Sequence, residues 1–191
     1  MRYLILIFLI SSLVMAQDSF SFKNIPPSPD IYLGGNIISK SIQGLGFRYY
    51  WATEGLRSED LSYRPSEGAN SLNETLEHLY GLCEVINNSG LNIASKRPLK
   101  HIPQDFNILR QETLKLIESA SKLFEDKNQK ELQKLRVIFD RGGKYTEFPI
   151  WNLINGPLAD AIYHTGQVVS FRRTSGNPIS KGVNVFLGKK Q

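Results

Sequence analysis

"FPIWNLINGPLADAIYHTGQVVSFRR", residues 148–173, decides the fold, because it reads as one helix broken once and carrying polar residues where a core stripe is expected. Pro157 is tolerated in the first turn of a helix, so the "NGP" at 155–157 either restarts the helix or kinks it. From Asp160 onward the 3.6-residue period places Asp160, His164, Gln167 and Phe171 on one face, continuing Leu153 from before the break. An aspartate one turn before a histidine is a spacing that can grip one metal ion. Gly176 and Pro178 in the following "TSGNP" supply a C-cap and a stop.

Working back along the chain, "SLNETLEHLYGLCEVINN" (71–88) opens on a capping box, Ser71 with Glu74 three residues later. Leu72, Leu76, Leu79, Cys83 and Ile86 form its apolar stripe. His78 falls at the border of that stripe, about 120° from its centre, where it can point along a seam between two helices. A further helix is expected over "NIISKSIQGLGFRYYWATEGL" (36–56), with Ile38, Ile42, Leu45, Tyr49, Ala52 and Leu56 in register; Gly44 and Gly46 weaken it. Another runs from about Asp105 to Phe124, with Phe106, Leu109, Thr113, Leu116, Ala120 and Leu123 as its stripe. Between this helix and the last, "LRVIFDRGGKYTEF" (135–148) fits a short hairpin or extended crossover. Four helices with little strand make an all-α four-helix bundle the expected fold class.

The chain has 191 residues, 41% of them hydrophobic, which suits one domain with a real core. "MRYLILIFLISSLVMA" (1–16), with Arg2, an apolar run and Ala16, reads as a cleavable signal peptide, giving a periplasmic or secreted product. That run is short for a membrane span, and no later stretch reaches the length needed. The expected organisation is leader 1–16, a Pro-rich arm 17–35, the bundle 36–178 and a tail 179–191. Cys83 is the sole cysteine, so no intramolecular disulfide forms. The net charge of +5, dispersed along the chain, supports solubility more than nucleic-acid binding. Pairing of two bundles into a homodimer stays open, with no residue that signals it.

Zinc and related ions take imidazole nitrogen and carboxylate oxygen, and a site with three protein ligands keeps one position for water or substrate. His78, Asp160 and His164 are the candidate ligands; His101, in a loop after Pro98, is left out. The competing reading is a hydrogen-bonded Asp160–His164 pair, or two residues on a solvated face. An unpartnered buried carboxylate is costly, and the apolar surroundings of Asp160 suggest burial, which favours an ion. Gln167 either orients a ligand or fills a packing gap. Arg172 and Arg173 suit a helix C-terminus, Tyr49, Tyr50 and Trp51 suit core or rim, and Cys83 suits a small buried hydrophobe.

"RSEDLSYRPSEGANSLNETLEHLYGL" (57–82) and "DAIYHTGQVVSFRRTSGNP" (160–178) resemble the DinB/YfiT-like superfamily of metal-binding four-helix bundles, over about residues 36–178. The resemblance implies a first metal histidine at His78 and a last at His164, followed by Gly166 and Gln167. The middle ligand falls on Asp160, where the family more often has histidine. Two histidines and a carboxylate remain a competent set, for zinc first and for nickel or iron as alternatives. The resemblance implies a metal-dependent hydrolase or transferase acting on a small molecule. The alternative is a non-catalytic bundle that binds a metal or small molecule. No nucleophile with an attendant base, and no phosphate-cradling glycine loop, is visible in the sequence.

Overall fold

The structure, a computed structural model, describes residues 21–191. The expected leader and the first residues of the arm lie outside them. Among the described residues no helix is long and apolar enough to cross a membrane.

After a 3-10 turn at Ser21–Lys23 and an extended arm, α1 (Gly34–Thr53) buries Ile38, Ile42, Leu45, Tyr49 and Ala52 along one stripe. One of its interior glycines has a packing reason. A Cβ on Gly46 would come within 2.6 Å of the Phe22 ring, so the missing side chain lets the arm seat Phe22 against α1. The loop after α1 holds a single turn, α2 (Ser58–Leu61). α3 (Leu72–Leu91) starts at the expected capping box, with Ser71 Oγ accepting from the Glu74 N–H at 3.1 Å and Glu74 accepting from the Ser71 N–H at 2.7 Å. Arg64 grips the same carboxylate in a fork and, with those bonds, draws its pKa down to about 2.

A three-residue strand, β1 (Ala94–Lys96), precedes α4 (Phe106–Phe124), which Asp105 caps by accepting from the Ile108 N–H. Leu109, Thr113 and Ala120 of the expected stripe are buried together with Leu114, Ile117 and Phe124, while Phe106, Leu116 and Leu123 are half-buried, so the core face of α4 is rotated from the expected register. A single turn, α5 (Gln129–Leu132), leads into the hairpin β2 (Arg136–Arg141) and β3 (Lys144–Pro149). The two residues between them, Gly142 and Gly143, both have positive φ, the tight turn that suits twisted antiparallel strands. β1 adds to β2 in parallel, Ala94 opposite Ile138, and makes a small three-stranded sheet where the sequence suggested only a hairpin or crossover.

The break expected at "NGP" is present: α6 (Trp151–Leu153) passes into a π-helical turn, Ile154–Leu158, before α7 (Ala159–Thr174). The tail folds back as a minimal hairpin of β4 (Val183–Asn184) and β5 (Lys189–Lys190). α1 packs on α4 and α7, and α3 packs on the same two, which closes the four-helix bundle. Leu72, Leu76, Leu79 and Cys83 of α3, with Leu153, Ala161 and Val168 from the last segment, lie in its core.

Candidate metal centre

Two local signals place the cluster. The capping box fixes the phase of α3, so His78 stands on the flank of the buried stripe with 46% of its side chain exposed. The break at Gly156–Pro157 restarts the last helix and puts Asp160 in its first turn, where a carboxylate faces the positive end of the helix dipole. His164 follows one turn later, 21% exposed.

The three side chains meet where α3 and α7 pack. Asp160 Oδ2 lies 3.5 Å from His78 Nε2, and Asp160 Oδ1 lies 3.2 Å from His164 Nε2. One ligand atom from each residue lies within 4.8 Å of the others. Ligands about 2.1 Å from a tetrahedral ion stand roughly 3.4 Å apart, close to the two histidine–aspartate distances here. The imidazoles meet edge to face, centroids 4.5 Å apart, both nitrogens directed at the same carboxylate. Gln167 Oε1 lies 2.7 Å from His164 Nδ1. With that oxygen accepting from an Nδ1–H, Nε2 is the His164 nitrogen that faces Asp160 and would be offered to an ion.

Two expectations about this helix are corrected. Asp160 is 43% exposed at its side chain, not buried, so no burial penalty explains its presence. The buried face of α7 is Ala161, Thr165, Val168 and Arg172, while Asp160, His164, Gln167 and Phe171 are half-buried on its flank. The core takes the adjacent face because α7 packs against α1 as well as α3. The flank therefore opens on an exposed groove of about 500 Å³ lined by Leu82, Asn155, Gly156, Pro157, Asp160 and Tyr163. Apart from Asp160, the sequence assigned these lining residues no part in a site, although Leu82 stands one turn beyond His78 and Asn155–Pro157 is the break itself. Tyr163, 65% exposed, packs its ring edge to face with His164.

Arg172 does more than complement a helix dipole. It is 2% exposed and donates to the carbonyls of Ala52 at 3.0 Å and Glu54 at 2.7 Å, closing the end of α1. Burial pulls its pKa down, but the guanidinium stays charged. Beside it, fully buried Asp60 accepts from Arg57, Ser175 and Asn177, and the Arg57 fork holds its carboxyl well below the usual range. This clasp joins α2, the end of α1 and the end of α7, and so sets the position of the helix that carries Asp160 and His164. Tyr49, Tyr50, Trp51 and Cys83 are buried in the core, and burial pushes the Cys83 thiol far up, so it is inert. His101 is exposed in its loop and is not among the cluster residues.

The backbone has a solved counterpart. A crystal structure of a DinB-like protein from Bacillus subtilis, YjoA, superposes with a TM-score of 0.55, covering 73% of this chain and 92% of that one at 16% identity. The fold is DinB-like. A scan against protein-family models and a search of curated proteins give no match. At this identity the likeness concerns the DinB-like fold, and the His78–Asp160–His164 cluster stands on its own geometry.

Proposed function

We propose that this DinB-like protein holds one divalent ion through His78, Asp160 and His164 and uses it for hydrolysis or group transfer on a small molecule seated in the groove beside Asp160. The observation that carries the reading is the convergence of His78, Asp160 and His164, one possible ligand atom of each within 4.8 Å of the others, on a partly exposed flank. Among the described residues no fourth His, Cys, Asp or Glu joins the cluster, which favours an open coordination position over a closed structural site. Zinc suits this ligand set best, and nickel or iron also accept it.

Each residue has a definite task. Asp160 contributes the charge that balances the cation, the two imidazoles contribute neutral nitrogen, and Gln167 holds the His164 tautomer. Leu82 and Tyr163 offer an apolar wall to a substrate, and Asn155 offers the one side-chain amide of the groove. When bound, the ion supplies Lewis acidity, which makes water nucleophilic near neutral pH or polarises a substrate oxygen or sulfur. The export half of the reading rests on residues 1–16, and an exported location disfavours transferases that depend on cytosolic thiols.

The test is a panel of chromogenic ester, amide and phosphoester substrates, offered to wild-type protein and to Asp160→Ala after incubation with zinc, nickel or iron(II). Turnover in the wild type alone supports the enzyme reading. Metal uptake by the wild type without turnover on any class would leave a binding bundle instead.

A further inference from the structure

The C-terminal hairpin contributes nothing large to the bundle core, yet its backbone is closely tied. Gln191 N–H donates to Gly182 O and Gly188 N–H to Asn184 O, both at 2.9 Å. At the tip, Asn184 Oδ1 accepts the N–H groups of Phe186 at 3.1 Å and Leu187 at 3.0 Å, so the turn satisfies its own donors. Ile25 N–H donates to Gly188 O at 2.8 Å and anchors the turn to the arm. What this ordered turn displays is apolar: Val185, Phe186 and Leu187 are 48%, 93% and 49% exposed. Three consecutive apolar residues held out to water lower solubility and add no packing to the fold.

Charge indicates what meets them. From Ala161 to Gln191 the chain has no aspartate or glutamate, and Lys181, Lys189 and Lys190 lie within four residues of the apolar triplet. The Lys190 ammonium is 4.8 Å from the Trp51 ring centroid, which keeps one cation at the base of the hairpin. Ile25 also lines a groove bordered by Ile31, Tyr32 and Ile37, all exposed, together with Lys40 and Arg48. In the described arm, residues 21–33, Asp30 is the one carboxylate.

We propose that this hairpin is a membrane-contact element, in which Phe186, with Val185 and Leu187 beside it, enters the headgroup region of an anionic bilayer while Lys181 and Lys189 lie against the lipid phosphates. An apolar tip ringed by lysines matches both layers of such a surface. A second copy meeting it through the same hairpin is a poorer occupant, since it would bring the same lysines together with no carboxylate between them. A nucleic acid would meet the lysines but offers no apolar layer for Phe186. The contact is peripheral and independent of the metal cluster.

The experiment uses the protein in the form expressing cells produce, its N-terminus established by mass spectrometry. Phe186→Cys is labelled with an environment-sensitive nitrobenzoxadiazole dye; Cys83, 1% exposed, stays unlabelled in the folded protein. Expected is a blue-shifted, brighter emission with phosphatidylcholine vesicles containing phosphatidylglycerol, weakened by salt and by phosphatidylcholine alone. In sedimentation with the anionic vesicles, Phe186→Ser lowers partitioning by roughly tenfold or more. Lys181→Gln and Lys189→Gln each lower it about fivefold. All these residues are exposed or half-buried, so an unchanged circular dichroism spectrum accompanies each loss. No emission change with either vesicle, partitioning that survives Phe186→Ser, or a change that grows with protein concentration without lipid would overturn the proposal, the last in favour of self-association.

Discussion

Gln167 is the residue at which a metal site and a plain His–Asp ion pair part company. A pair between His164 and Asp160 needs no fixed tautomer, since both imidazole nitrogens carry protons once it is charged, whereas a ligand needs Nε2 free. Gln167→Ala should therefore weaken metal affinity roughly 10- to 100-fold, measured by chelator competition, while leaving the thermal midpoint of the metal-free protein nearly unchanged. Asp60 makes the opposite kind of prediction. Its folded pKa is depressed, so it stabilises the fold above the ordinary carboxylate pKa of about 4, and that contribution is lost as pH falls below it. Asp60→Ala should cost about 3 kcal/mol near neutral pH, with Arg57, Ser175 and Asn177 losing their acceptor. Between pH 6 and pH 3 the variant's chemical-denaturation midpoint should fall less steeply than the wild type's. At this scale the cluster was legible, because the helix period and one proline place His78, Asp160 and His164 together. The exposure of Asp160 was not, because it depends on which neighbours α7 faces, and neither was Arg172, whose carbonyl partners Ala52 and Glu54 are more than a hundred residues away.

The elements are held by close approaches that residue type alone reveals only in retrospect. Gly35 sits where α1 meets the end of α4, and a Cβ there would fall 2.3 Å from the backbone oxygen of Phe124. At Gly46 the clash is with the Phe22 side chain, 2.6 Å away, on an arm that can give. Gly35→Ala should thus cost roughly 1–3 kcal/mol, and Gly46→Ala less, with the second loosening the arm and increasing its protease sensitivity. Both costs are read from urea unfolding. The sequence treated Gly44 and Gly46 only as weak points in a helix, since propensity does not register what packs on them. Helix starts were easier: Ser71, Asp105 and the "NGP" break all announce themselves through local chemistry. β1 did not, because three residues within "NIASKRP" become a strand only by pairing with Ile138 to Asp140, far along the chain. The C-terminal hairpin had its signals, Gly182, Asn184 and Gly188, but no apolar alternation to draw attention to them.

For the whole molecule, the bundle provides the frame, and the α3–α7 contact brings together His78 from one helix with Asp160 and His164 from another. Binding that occurs in the folded state alone must stabilise it. Zinc at a hundredfold excess over its dissociation constant should raise stability by about 2.7 kcal/mol, or roughly 5–10 °C in thermal midpoint, and His164→Ala should abolish that rise. Calorimetry with and without chelator measures it. The DinB-like architecture was readable from four stripes and two motifs, whereas the reaction was not, because fold and ligand set fit several chemistries. The most direct test is elemental analysis of tag-free protein beside an Asp160→Ala, His164→Ala double variant. About one equivalent of zinc, nickel or iron in the wild type and none in the variant is the result predicted. No metal in either protein, even after reconstitution, would contradict the account and leave His78, Asp160 and His164 as an ion-paired cluster on the flank of a structural bundle.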